Sequence, residues 1–247
     1  MSTPIAFLDT PAALVDIPQM QRNIQRMQQR MSSLGVRLRP HIKTSKCLPV
    51  IRAQIAAGAS GVTVSTLKEA EHCFAAGIRD VFYAVAIAPG KLPQALALRR
   101  QGCNLSLLTD SVQGAEAIVA FAQQHDESFD VWIEIDCDGH RSGLAAQDPV
   151  LIDVARILSD GDLHLRGVMT HAGSSYELDS LEPLQALAEQ ERALCVSAAD
   201  NIRATGLACP EVSIGSTPTA LSALNLDGVT EVRAGVYVFF EDRKSVV

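Results

Sequence analysis

The sequence predicts an α/β fold, a (β/α)8 barrel in which parallel strands are ringed by helices. Three observations carry this. Eight apolar, β-rich runs recur along the chain, at residues 38–43, 61–65, 80–87, 104–109, 129–136, 165–172, 211–217 and 231–239. Stretches of helical character lie between them, and strands that are apolar throughout belong to parallel sheets covered by helices. The 247 residues also match the length such a barrel takes, about 250. An open doubly wound sheet is the competing arrangement. No Gly-x-Gly-x-x-Gly follows the first strand, which counts against its dinucleotide-binding version.

Taken in order, residues 10–16 read as a short strand-like segment. Pro18 then leads into a helix over residues 20–34, where Met20, Ile24, Met27, Met31 and Leu34 recur at helical spacing and Gly35 stops it. These methionines suit core packing. In the first run, alternation puts Arg39, His41 and Lys43 on one face, with Pro40 and Ile42 on the other. Thr44 and Ser45 suit a loop, and a helix starts around Pro49. Ala56-Ala57-Gly58 before one strand echoes Ala75-Ala76-Gly77 before the next; each glycine ends a helix. Further helices are expected at residues 67–76, 92–101, 111–124, 149–158, 181–205 and 217–224.

Composition narrows the function. With 47% hydrophobic and 20% charged residues, this is one large globular domain. A net charge of −7 with no basic run argues against nucleic-acid backbone binding. No apolar stretch approaches the roughly 20 residues that span a bilayer, and the N-terminus lacks a signal-peptide pattern. Cys47, Cys73, Cys103, Cys137, Cys195 and Cys209 are scattered, with no Cys-x-x-Cys. That fits reduced thiols, a cytoplasmic location and no structural zinc site.

Polar groups gather at the strand ends, the rim where barrels do chemistry. Lys43 ends the first run; it is either a surface lysine at a loop edge or, partly desolvated there, a nucleophilic amine able to carry a Schiff base. After the fifth run come Asp138, Gly139, His140, Arg141, Ser142 and Gly143; after the sixth, His171, Gly173, Ser174, Ser175 and Tyr176. The seventh ends in Gly215, Ser216, Thr217 and Pro218, which make either a phosphate cup or an ordinary helix cap. The eighth carries Arg233, a fixed cation, and Gly235, a place for close backbone approach. An amine, an anion cup and arginines suit a ligand with a carbonyl, a phosphate and an electron-poor ring, as in pyridoxal phosphate.

Arg39-Pro40-His41-Ile42-Lys43-Thr44, Asp138-Gly139-His140-Arg141-Ser142-Gly143, His171-Ala172-Gly173-Ser174-Ser175-Tyr176, Gly215-Ser216-Thr217-Pro218-Thr219 and Val232-Arg233-Ala234-Gly235-Val236-Tyr237 together resemble the D-serine dehydratase/D-threonine aldolase family. These are fold type III pyridoxal phosphate enzymes, related to alanine racemase. The resemblance covers nearly the whole chain. It implies a barrel of the alanine racemase type and a Schiff base at Lys43. Gly215, Ser216 and Thr217 would hold the phosphate, with Gly235 and Tyr237 nearby. Arg141 and Arg233 are both candidates to face the pyridine ring. Tyr176 would lie at the cofactor edge, His41 and His171 near the substrate, and His171 would transfer protons. A common family form has a histidine where this chain has Ser45.

The implied chemistry acts on D-β-hydroxy-α-amino acids. Dehydration as for D-serine is the first expectation and carbon–carbon cleavage as for D-threonine the next, followed by an amino-acid racemase or a non-catalytic cofactor carrier. The resemblance also implies a homodimer and a divalent metal, zinc or manganese, whose ligands lie in a C-terminal β-domain that this sequence does not contain. No metal ligand is expected in this chain. The expected division is residues 1–18, a strand joining the β-domain; residues 19–240, the cofactor-binding barrel; and residues 241–247, an aberrant tail. Its last six residues, Asp242 to Val247, match what a common short-read adapter encodes in frame, and the expectation is a truncated gene whose ending is an assembly artefact.

Overall fold

Asp16 sets the start of the first helix: its carboxylate accepts the Gln19 N–H at 2.8 Å, and Pro18 occupies the first turn. The structure, a computed structural model, describes residues 9–11 and 14–239. From this cap the chain runs α1 (Ile17–Ser33), β1 (Arg37–Leu38), α2 (Leu48–Ala56), β2 (Val62–Val64), α3 (Leu67–Ala75), β3 (Asp80–Ala86) and α4 (Leu92–Arg100). It continues through β4 (Asn104–Thr109), α5 (Val112–His125), β5 (Asp130–Asp136), β6 (Leu144–Ala145), α6 (Val150–Asp160) and β7 (His164–Thr170). The last elements are α7 (Leu181–Ala204), β8 (Glu211–Ile214), α8 (Thr217–Ser222) and β9 (Glu231–Val232).

All strand pairs are parallel, in the order β1-β9-β8-β7-β5-β4-β3-β2. The two ends of that order meet. His41 bridges Thr63, and the Thr63 N–H donates to Pro40 O at 2.9 Å. The sheet is therefore a closed ring, as the eightfold rhythm predicts. Alternation divides its side chains. Val81, Leu105, Val131, Ile133 and Val212 join the core between strands and helices; Phe82, Leu108, Trp132 and Met169 form a separate apolar layer in the lumen. Phe82 and Trp132 stack there with centroids 5.1 Å apart.

Both runs at the seam are shorter strands than expected. The sequence predicts the first as a strand through Lys43. Its paired residues with β9 are Arg37 and Leu38, although the Arg39 and His41 N–H groups go on to donate to Val232 O and Ala234 O; toward β2, the side on which Pro40 has no N–H to donate, it forms one bridge, at His41. The chain then winds into a 3-10 turn, Ile42–Thr44, so Lys43 leaves the strand face that Arg39 and His41 occupy. The eighth run pairs only over Glu231–Val232 and turns at Val236–Val238. One strand was not anticipated: β6 lies inside the loop after β5 and pairs with it, Ile135 opposite Leu144. Residues 14–16, expected as a strand, form none, and Leu14 and Val15 are exposed. Residues 1–8 and 12–13 of the expected N-terminal segment, residue 240 and the tail at 241–247 lie outside the described residues.

Candidate active site

Gly215 ends β8 with φ +109°, a conformation that excludes most side chains, and a Cβ there would lie 2.6 Å from Val232. The turn it makes delivers Ser216 to cap α8. Ser216 Oγ accepts the Thr219 N–H at 3.2 Å, and the Thr219 hydroxyl accepts the Ser216 N–H at 3.1 Å. Ser175 reaches across from the loop after β7, its hydroxyl 2.7 Å from Ser216 Oγ. Thr217 Oγ1 accepts the Tyr237 N–H at 3.2 Å, and the Tyr176 hydroxyl faces Thr217. Hydroxyls and N–H groups from three loops thus converge on one buried turn.

Arg233 lies under that turn, buried on the lumen side of β9. It donates to Ser213 Oγ and to Thr170 O, each at 2.6 Å, and its guanidinium sits 5.8 Å over the Phe82 ring. Those acceptors are neutral. Among the described residues it makes no ion pair, so a fully buried cation is left facing the lumen without a direct counter-charge. Burial lowers its pKa.

Two histidines stand beside it. The Gly215 carbonyl lies 3.3 Å from His171 Nδ1. A carbonyl only accepts, so Nδ1 carries the proton and Nε2 keeps a free lone pair. Burial, then Arg233, Arg141 and Lys43, push the His171 pKa down to about 4. His41 is also lowered well below the usual histidine range, by burial first and then by Lys43, Arg233 and His171. Its Nδ1 accepts the Lys43 N–H at 3.5 Å, and Nε2 lies 3.4 Å from Ser65 Oγ. Both rings are neutral at pH 7.

Lys43 stands on its turn at the same rim. Partial burial lowers its pKa, with Arg141 and Arg233 adding to the effect and Glu69 opposing it. Arg141 itself is exposed, on the loop between β5 and β6. Asp136 Oδ1 holds that loop by accepting the N–H groups of Asp138 and Gly139 at 3.2 and 2.9 Å. Asp138 Oδ2 then accepts both the N–H and the hydroxyl of Ser174, at 2.9 and 2.7 Å. Arg141 crosses Gly173, where a Cβ would lie 2.7 Å from its Cδ.

The structure therefore gathers Lys43, His41, His171, Arg233, Arg141, Tyr176, Gly215, Ser216 and Thr217 at one mouth. Gly235 is there for a backbone reason, since a Cβ on it would lie 2.6 Å from His41 O. Tyr237 departs from expectation: only its N–H reaches the site, while its phenol is buried against α2 and accepts from Gln54 Nε2 at 2.9 Å. Ser175 and Thr219 stand in the sequence motifs without an individual role, and Glu134 and Glu191 are not among the sequence candidates. Glu134 faces the lumen two residues after Trp132 and accepts from Ser142 Oγ at 3.1 Å. Glu191 left one trace, a single charge on the buried stripe of α7.

Three cations, two neutral histidines and a hydroxyl-lined turn make a positive mouth on an acidic chain. The residues present fit a ligand with a phosphate, a ring and a carbonyl: the hydroxyl-lined turn after β8 suits an anion, Arg233 is a buried cation and Lys43 an amine of lowered pKa. A divalent metal does not fit in the same way, since no cluster of three His, Cys, Asp or Glu that could hold one exists among the described residues. No helix among them is long and apolar enough to cross a membrane, and all six cysteines are unpaired.

Comparison with known proteins follows the same lines. The chain is 67% identical to D-threo-3-hydroxyaspartate dehydratase of Delftia sp. (strain HT23) over 86% of its length and 56% of that protein's. It is 29% identical to D-serine dehydratase of Dictyostelium discoideum, over 86% of this chain and 58% of that one. The solved Delftia structure superposes with a TM-score of 0.94, covering 95% of this chain and 62% of that one. D-threonine aldolase from Filomicrobium marinum superposes at 0.85 with 25% identity, covering 96% and 64%. The chain thus spans less than two thirds of the length of these relatives. The alanine racemase N-terminal domain family matches residues 15–243, and to that family this barrel belongs.

Proposed function

We propose that the chain is the cofactor-binding barrel of a pyridoxal phosphate-dependent lyase that dehydrates D-β-hydroxy-α-amino acids. The observation that carries this is the meeting of a pKa-lowered Lys43 with a buried Arg233, which has no ion-pair partner among the described residues, and the hydroxyl-lined turn after β8. When bound, the cofactor supplies a ring that draws electron density from the substrate's α-carbon. Lys43, whose lowered pKa favours the free amine, would hold the cofactor's carbonyl, and its amine would serve as base for the substrate's α-proton. The ammonium so formed is a donor for the departing β-hydroxyl. His171, with its proton on Nδ1, takes protons at Nε2. Arg233, held by Ser213 and Thr170, would hold the ring, and Arg141, exposed on its loop, would pair with a substrate carboxylate. The D-serine chemistry expected from the resemblance and that of its β-carboxylated counterpart, 3-hydroxy-D-aspartate, share these steps. The 67% identity to the Delftia dehydratase favours the second substrate. The homodimer and the metal belong to the same reading, with the metal ligands lying outside these residues.

The test is spectroscopic, then chemical. Adding pyridoxal phosphate should produce a near-visible absorption band that Lys43→Ala abolishes. The loaded protein should then be given D-serine, 3-hydroxy-D-aspartate and D-threonine, with and without zinc or manganese. Ammonia with pyruvate or with oxaloacetate identifies the dehydratase and its substrate. Glycine with an aldehyde would replace this reading by the aldolase, inverted stereochemistry by a racemase. A band without any product would leave a carrier, and no band at all would end the cofactor assignment.

A further inference from the structure

Helix α7 lays an apolar stripe on the barrel that includes Leu184, Ala188, Cys195 and Ala199, and Glu191 is the one charged residue within it, 1% exposed. Burying a carboxyl there is costly unless it answers a need. The need is visible at the end of the sheet. The last paired residues of β7 and β8 are Met169 and Ser213. Beyond them the strands part, β7 toward His171 and β8 toward the turn at Gly215. Glu191 Oε1 fills the gap, accepting the Ala172 N–H at 2.8 Å and the Gly215 N–H at 3.2 Å. Without it, two buried N–H groups would have no partner.

Gly215 is thereby held from both sides, its N–H by Glu191 and its C=O facing His171 Nδ1 at 3.3 Å. Its backbone sits at φ +109°, and that conformation decides where Ser216 and Thr217 point. Thr219, which caps Ser216, also faces the Glu191 carboxyl. None of the proton-transfer steps uses Glu191, and it touches no position open to a substrate.

We propose that Glu191 is a positioning residue for the phosphate cradle: clamping the ends of β7 and β8, it sets the spacing at residues 215–217 that distinguishes a phosphorylated cofactor from its dephosphorylated form. This rests on the reading of that turn as the phosphate holder. A carboxyl that only filled space would, when altered, weaken every ligand alike.

The experiment compares dissociation constants for pyridoxal phosphate and pyridoxal, measured by absorbance on wild type and on E191M, E191D and E191Q, with thermal midpoints alongside. Changes in the ratio between variants are free of pyridoxal's own solution equilibria. E191M keeps volume without an acceptor and should cut the preference for the phosphorylated form by about tenfold or more. E191D retracts the acceptor by one methylene and should cut it by about threefold, while E191Q, whose amide oxygen accepts the same two N–H groups, should stay within about twofold of wild type. Equal losses for both ligands would overturn the proposal. So would an unchanged ratio in E191D, which decides the matter even where E191M fails to fold. A wild-type protein that shows no preference would instead defeat the cradle assignment itself, and the clamp with it.

Discussion

His171 gains its character from its surroundings. An isolated imidazole divides between two protonation states near neutrality, yet here burial and three cations hold the pKa down to about 4. The consequence for stability has a definite sign. The unfolded chain, with an ordinary histidine, binds more protons than the folded one between about pH 6.5 and pH 4. The stabilisation is therefore present above that window and lost as pH falls through it. Denaturant unfolding of wild type and His171→Gln at pH 7 and pH 5 should show wild type losing more stability on acidification. A variant that loses as much would place the imidazole in water. The sequence offered His171 only as a histidine at a strand end, as suited to a core as to a site. What singled it out is the Gly215 carbonyl on a neighbouring strand, a partner 44 positions away in sequence. The same distance hid the choice between Arg141 and Arg233. Both follow strands, but only folding reveals that one is exposed on a loop and the other buried over Phe82.

At the level of elements, the strands with long apolar runs were legible, and those at the seam were not. β3, β4, β5 and β7 carry six or seven residues each, and their continuous hydrophobicity announces burial on both sides. β1 and β9 pair over two residues apiece. Their runs look as strand-like in sequence, but each curls into a 3-10 turn that carries part of the mouth. Hydrophobicity does not record where a ladder stops. Local backbone chemistry does: Pro40 has no N–H to offer β2, and the chain approaches tightly at Gly235. At Gly235 the backbone of one turn presses on the other, 2.6 Å from an added Cβ to His41 O. Gly235→Ala should accordingly cost about 2 kcal/mol, read as a lower denaturation midpoint. Because the displaced residue is His41, a weakened near-visible cofactor band should accompany it.

For the molecule as a whole, charge is arranged by depth. The chain carries −7, yet its mouth is lined by Lys43, Arg141 and Arg233. The floor has its own network. Arg39 Nε meets Glu231 at 2.9 Å, and its Nη1 meets Asp80 at 2.6 Å, so one guanidinium ties the first strand to β9 on one side and β3 on the other. Arg39 and Glu231 are buried while Asp80 is half exposed, and the guanidinium's pKa is raised despite its burial. Removing one member of a buried pair strands the other, so Arg39→Met should cost about 3–5 kcal/mol. Calorimetry should register it as a large drop in the unfolding midpoint, and a drop of a degree or two would show that the seam is held by packing alone. Nothing in the sequence joins Arg39 to Glu231, 192 positions apart. The (β/α)8 rhythm makes them neighbours only by closing the ring.

Trp132 is the chain's single tryptophan, and it lies in the lumen layer, stacked on the phenylalanine over which Arg233 sits. All indole emission from this protein therefore originates beneath the mouth. A chromophore seated on Arg233 would stand close enough to drain that light, so loading of the barrel can be watched as dimming, without a label and without turnover.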